Sequence, residues 1–370
     1  MPSHKNQHFV PRCGLRPFSL LGQGRAINLF NIPSARAIQN ASVRDQCAKD
    51  YLYGKDGHVE AALARLEGDY STIIKRLSDG ETLNEAALKL LRFVVFVQAR
   101  RTEAAIKLAQ TAESKFSDEV FARDLEQRPP ATPESQLMRQ SLKMSVDGMR
   151  YVEDLKAVII VNETKRDFVT SDNPALLTNK FHFQRLRQDS FGYGNSGAML
   201  VMPVTPNHLF LGYDTGVYTI PELAGGKQIA IRKVEDVDAL NELAYLSASS
   251  NVYFRDWNNR ALIARCIESV ATRRAAEAHR IFTLVRDESH DDVEVYREGT
   301  LEEQRTARET IVGHIFVHRQ PSSWLSALKY RSKPVAYNTG TAAGHVRKKE
   351  WGQRASNSPS PQYLGVIPKK

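Results

Sequence analysis

Eight side chains in this sequence have the types and spacing to do chemistry. His8, Glu60, Glu67 and Asp172 could act as acids and bases, and Arg12, Gln98, Arg101 and Ser171 could hold a substrate. His8 lies in His4-Lys5-Asn6-Gln7-His8-Phe9-Val10-Pro11-Arg12, which carries an imidazole, a fixed proline and a guanidinium within five residues. A fraying terminus has no use for that combination, so the segment is expected to dock onto the body of the protein. Glu60 and Glu67 are seven residues apart, nearly two helical turns, so both carboxylates fall along one line. Paired carboxylates can bind a metal or divide acid and base roles. On spacing alone, two solvated flank charges are the commoner reading.

Gln98 and Arg101 extend a stripe that begins at Leu91, Val94 and Val95. Polar groups carried onto a core face must find partners, because a buried donor left unpaired costs roughly 1–3 kcal/mol. A guanidinium there could grip an anionic ligand, or Glu60 or Glu67 within a structural network; both readings are open. Thr170-Ser171-Asp172-Asn173-Pro174 follows an expected strand at Phe168-Val169, where loops commonly carry function. The same residues are ordinary turn formers, and the turn is the more frequent outcome.

Other signatures are weak or missing. His314 and His318 have the helical spacing of metal ligands but lack the adjacent glutamate of a zinc protease. Gly192-Tyr-Gly-Asn-Ser-Gly197 lacks the Lys-Ser/Thr pair of a phosphate loop and reads as a turn. No Gly-x-Ser-x-Gly elbow is present. The three cysteines are far apart, which disfavours a disulfide framework or zinc ribbon and fits a reducing cytoplasm. No apolar run approaches the roughly 20 residues needed to span a bilayer, so no membrane partner is expected.

The elements that must position these residues follow from periodicity. Arg25 to Ile32 reads as a strand, Ser42 to Tyr53 as a helix, and Val59 to Leu77 recurs at three and four residues as an amphipathic helix. A long helix is expected from Asn84 to about Phe116, and another from Glu134 to Asp154. Short branched and aromatic runs at Ala157–Val161, Phe168–Val169, Ala198–Met202 and His208–Tyr213 read as strands. Helices are expected again at Asp236–Ala248, Arg255 to about Phe282 and Leu301–His314, with a strand at Val293–Tyr296. The expected class is α+β: a helical N-terminal half packed with a small mixed or antiparallel sheet, with further helices after it.

Composition supports a globular protein, at 42% hydrophobic and 25% charged residues. Charge marks a boundary. Lys329 to Lys370 holds nine lysines and arginines against Glu350 alone, +8 of the formal +9. Residues 1–328 are therefore expected to form one nearly neutral domain, and 329–370 a basic, disordered tail. A neutral body argues against a broad nucleic-acid face, although a basic tail can attract phosphate backbones.

Together the motifs resemble a bacterial family catalogued as domain of unknown function 4238. They are His8-Phe-Val-Pro-Arg12, Leu15-Arg-Pro-Phe18, the stretch from Tyr51 to Glu67, Gln98 to Thr102, Ser171 to Pro174, Pro203 to Pro206, and Asn241 to Tyr253. The resemblance covers about residues 4 to 260, and Cys13 stands where an aromatic residue is common. It implies that the eight polar residues form one constellation, and it carries no activity with it. That kit suits a hydrolase acting on a phosphate ester: His8 as acid/base, arginines stabilising developing negative charge, and acids orienting them or holding Mg²⁺. Two readings are open. One is an intracellular nuclease or nucleotide hydrolase, with nucleic acid or nucleotide as partner and a defence or toxin role. The other is a non-catalytic ligand-binding or interaction domain in which the same residues form a buried network. Oligomeric state is unknown from sequence.

Overall fold

Met199-Leu-Val-Met-Pro-Val-Thr205 is apolar at nearly every position, and in the computed structural model every one of its residues is buried. A strand of this kind needs both faces covered. The structure describes residues 5–120, 128–223, 225–287, 294–338, 344–352 and 363–367.

The chain opens with β1 (Asn6–His8), the single turn α1 (Arg12–Leu15), the hairpin β2 (Ala26–Asn31) and β3 (Arg36–Ser42), and β4 (Ala48–Asp50). Helices α2 (His58–Ser78), α3 (Glu85–Gln98), α4 (Glu103–Val120) and α5 (Glu134–Asp147) follow. The middle holds β5 (Lys156–Asn162), β6 (Thr170–Ser171), β7 (Leu176–Thr178), β8 (Met199–Thr205), β9 (His208–Tyr213), β10 (Tyr218–Thr219) and β11 (Gln228–Ile231). Then come α6 (Val234–Ser247), β12 (Asn251–Phe254), α7 (Arg260–Ser269) and α8 (Ala271–Ala275). The last part comprises β13 (His279–Asp287), β14 (Glu294–Glu298), α9 (Leu301–Thr306), β15 (Thr310–Phe316), β16 (Lys329–Tyr330), β17 (Tyr337–Asn338), β18 (His345–Val346) and β19 (Tyr363–Ile367).

The central sheet has the order β11-β5-β9-β8-β7, parallel only between β11 and β5. Alternation along its strands divides the core. Ile159, Leu200, Met202 and Phe210 pack with Leu88, Leu91 and Val95 of α3. Val158, Ile160, Val201 and Leu211 pack with Val237, Leu240 and Leu243 of α6. An antiparallel sheet β3-β2-β12-β6 joins the N-terminal hairpin to residues over 200 positions later. A third sheet, β15-β13-β14-β19, forms the C-terminal part.

The expected class is overturned. The fold is mixed, with six small sheets among the described residues, and helices are spread through the chain rather than gathered in its first half. Ser42–Tyr53 is not a helix: Cys47 and Tyr51 take left-handed φ values of 54° and 52°, and β4 pairs with β1. The expected long helix breaks after Gln98, and Thr102 Oγ1 caps α4 by accepting from the Ala105 N–H at 3.2 Å. The expected helices at Arg255–Phe282 and Leu301–His314 end early: His279–Phe282 belong to strand β13 and Thr310–His314 to strand β15. Branched residues in Thr310-Ile-Val-Gly-His-Ile-Phe316 suit a ladder with β13, where Gly313 makes room for the Phe282 ring.

Beyond residue 328, β16 pairs with β10, and Arg347 is only 8% exposed. Its guanidinium bonds to Asp154 and to the carbonyls of Tyr151, Tyr193 and Asn195. The parts of the expected disordered tail at 339–343, 353–362 and 368–370 lie outside the described residues. No helix among the described residues is long and apolar enough to cross a membrane.

Candidate functional site

Pro11, with φ −64°, starts the turn α1 and aims Leu15 and Phe18 inward. Both are fully buried among Leu29, Val43, Leu63, Val97 and Tyr253. That anchoring sets the His8–Phe9 backbone against the corner between α3 and α4. There Gln98 Nε2 donates to the Phe9 carbonyl at 2.9 Å. Arg101 Nη2 donates to the His8 carbonyl at 2.9 Å and to Glu67 Oε1 at 2.6 Å. The Tyr53 hydroxyl donates to the same His8 carbonyl at 2.9 Å. Gln7, 1% exposed, donates to the Gly54 carbonyl and to Glu60 Oε2 and accepts from the Tyr53 N–H.

The electrostatics match this geometry. Burial opposes the charge on Arg101, but Tyr53 and Glu67 outweigh it and hold its pKa above the ordinary value. Burial lowers the His8 pKa, opposed by a bond between Nε2 and the Arg44 carbonyl at 3.1 Å and reinforced by Arg12. Burial, with Glu67 nearby, pushes the Cys13 thiol up to about 12, so it is no nucleophile at neutral pH. Arg12 stays exposed.

Asp172 and Ser171 belong to an adjoining unit. Asp172 is 4% exposed and accepts the N–H groups of Ser249, Ser250 and Asn251 at 2.8, 2.7 and 3.0 Å. Burial raises its pKa against the pull of those donors. The Ser171 hydroxyl accepts from the Asn173 N–H. Asn173 links the two units, since its Oδ1 accepts from Thr102 Oγ1 at 3.0 Å. Six of the eight candidates thus gather around the docked N-terminal segment, with Glu60 joining through Gln7. Asp172 instead holds the turn between α6 and β12, and the Ser171 hydroxyl holds the turn to Asn173 in its own segment. Among the described residues no three His, Cys, Asp or Glu side chains form a metal-binding group, and Glu60 and Glu67 take different partners.

A cavity of ≈ 760 Å³ lies elsewhere, lined by none of these eight residues. Its walls are the segment from His182 to Asn195, Arg280 on β13, Ile315 on β15, Gln320 and Gly344. His182–Leu186 is a π-helical turn, and Arg187 closes it with φ 55°. Both features recur at functional sites. Within the wall, the Phe191 ring stacks on that of His318 at 3.9 Å, and the His182 ring lies 5.5 Å from that of Phe191. Burial, with His345 nearby, brings His182 down to about 4; burial brings His318 down to about 4 as well. Both imidazoles are neutral near pH 7. His314, set aside in the sequence as half of a weak metal pair, instead meets His279 at 2.7 Å. Gly192–Gly197 is a turn, and Gly192 and Asn195 line the cavity. Its walls come from separate segments spread from His182 to Gly344, so no local spacing advertised them.

One family model, described as "Protein of unknown function (DUF4238)", matches residues 6–258. No curated protein and no solved structure matches the chain.

Proposed function

The chain belongs to the family DUF4238, and from its geometry we propose that it is a non-catalytic ligand-binding domain. In this reading the polar cluster around His8 pins the N-terminal segment, and the ≈ 760 Å³ cavity receives the ligand. The observation that carries it is the direction of the cluster's donors. Gln98 Nε2 and Arg101 Nη2 donate to the main-chain carbonyls of Phe9 and His8, so these N–H groups are already engaged, while the buried Arg101 Nε has no hydrogen-bond partner among the described residues. A buried polar network whose donors meet main-chain carbonyls in this way orders its segment. The cavity falls in the range of about 300–1,000 Å³ usual for small-molecule sites.

The rival reading, a phosphate-ester hydrolase acting at the cluster, draws support from Arg12 and the 31%-exposed Glu67 side chain, both accessible beside His8. Assaying the purified protein on RNA, DNA and nucleotides, with and without Mg²⁺, separates the two. The binding reading expects no turnover. Turnover that vanishes in His8→Ala while the melting temperature holds would replace it with the hydrolase.

A further inference from the structure

We propose that the cavity binds a small molecule through an oxyanion, phosphate or carboxylate, clasped between Arg187 and Arg280. The inference rests on the ligand-binding reading and adds the chemical class of the ligand.

Both arginines line the cavity. Both side chains are exposed, and neither has a hydrogen-bond or ion-pair partner among the described residues. Several guanidiniums elsewhere in the molecule are paired: Arg101 with Glu67, Arg139 with Asp56, Arg255 with Asp167, and Arg347 with Asp154. Two unpaired planar forks on the wall of one concavity suit an oxyanion, which can accept two parallel N–H bonds from each. Their mounting is specific. Arg187 is held in the left-handed region at the end of a π-helical turn, and Arg280 stands on β13, paired along its length with β15. His182, also in the wall, is neutral near pH 7, so Arg187 and Arg280 are the cations of the lining.

Asp189 also lines the cavity and refines the class. A carboxylate near two guanidiniums disfavours a polyanion and favours a ligand that carries a hydroxyl or amine beside its single oxyanion. The clasp also straddles the family boundary, because Arg187 lies inside the matched residues and Arg280 beyond them. The segment after residue 258 therefore completes the anion site.

Titration calorimetry of the full chain at low ionic strength tests this, with inorganic phosphate and acetate as separate probes so that the two anion chemistries are distinguished. The expected result is saturable heat with at least one probe. The dissociation constant should rise by roughly tenfold or more in Arg187→Gln and in Arg280→Gln, the loss expected for one charge-assisted contact. Because both side chains are exposed and unpaired, both variants should melt as the parent does. No saturable heat from either probe, or unchanged affinity in both variants, overturns the oxyanion clasp. That failure would leave the ligand-binding reading in place, since only turnover at the cluster removes it.

Discussion

The N-terminal cluster and the cavity hold similar side chains in opposite conditions. Around His8, guanidinium, amide and hydroxyl groups converge on two backbone carbonyls, and Arg101 is 2% exposed. Around the cavity, Arg187 and Arg280 are exposed and have no partner among the described residues. The cluster lies wholly within the family-matched residues, whereas the cavity draws walls from both sides of residue 258. Residue type alone does not separate a site from a brace. The distinction lies in whether polar capacity is already occupied.

The sharpest way to break this contrast is Arg101→Met. It strips a buried charge from its partners and should destabilise the protein by about 3 kcal/mol, seen as a fall of roughly 5–10 °C in melting temperature. A variant that melts with the parent would show that the cluster pins nothing. Acid attacks the other region. The unfolded chain binds protons on His182 from about pH 6.5 downward, whereas the folded group resists until about pH 4. His182 therefore contributes stability that is present above pH 6.5 and lost as pH falls toward 4, about 3 kcal/mol in all. Urea titrations across that window should show a shallower decline in His182→Phe than in the parent; parallel declines would remove His182 from the account.

Asp172→Asn replaces a carboxylate that takes three backbone N–H groups and should cost about 2 kcal/mol by denaturant unfolding. An unchanged midpoint would return Asp172 to the pool of groups available for chemistry. Thr102→Val removes both the α4 cap and the link to Asn173, at a cost of about 1–2 kcal/mol. A loss no larger than that from capping alone would mean that the link to Asn173 adds nothing.

Parts of this arrangement could be read before any coordinates were known. Leu91, Val94 and Val95 define a buried stripe whose next polar members are Gln98 and Arg101, so their need for partners follows from helical geometry alone. The proline-fixed turn at Pro11, followed by Leu15 and Phe18, likewise announces a docked segment. The break at Ala99–Thr102 was legible in principle, since Thr102 followed by Glu103 is an N-terminal helix signal. It was hidden by apolar periodicity continuing on either side. β13 and β15 were lost for a different reason: short apolar runs carry both periods, and only the partner strand decides between them. The cavity depends on those two strands, so it was lost with them.

The pairing of β2 with β12 also constrains how the protein is made. Asn31 bonds to Asn251, 220 positions along the chain, and the hairpin β2–β3 has its inner edge open until β12 is synthesised. At about 5–20 residues per second, a ribosome needs roughly 10–45 s to cover that distance. For that interval one edge of β2, which bears Ile27, Leu29 and Phe30, lacks its partner strand. Such long-range closure also belongs to slow folders. Ordered assembly during translation, rather than refolding of the finished chain, is the route this topology favours.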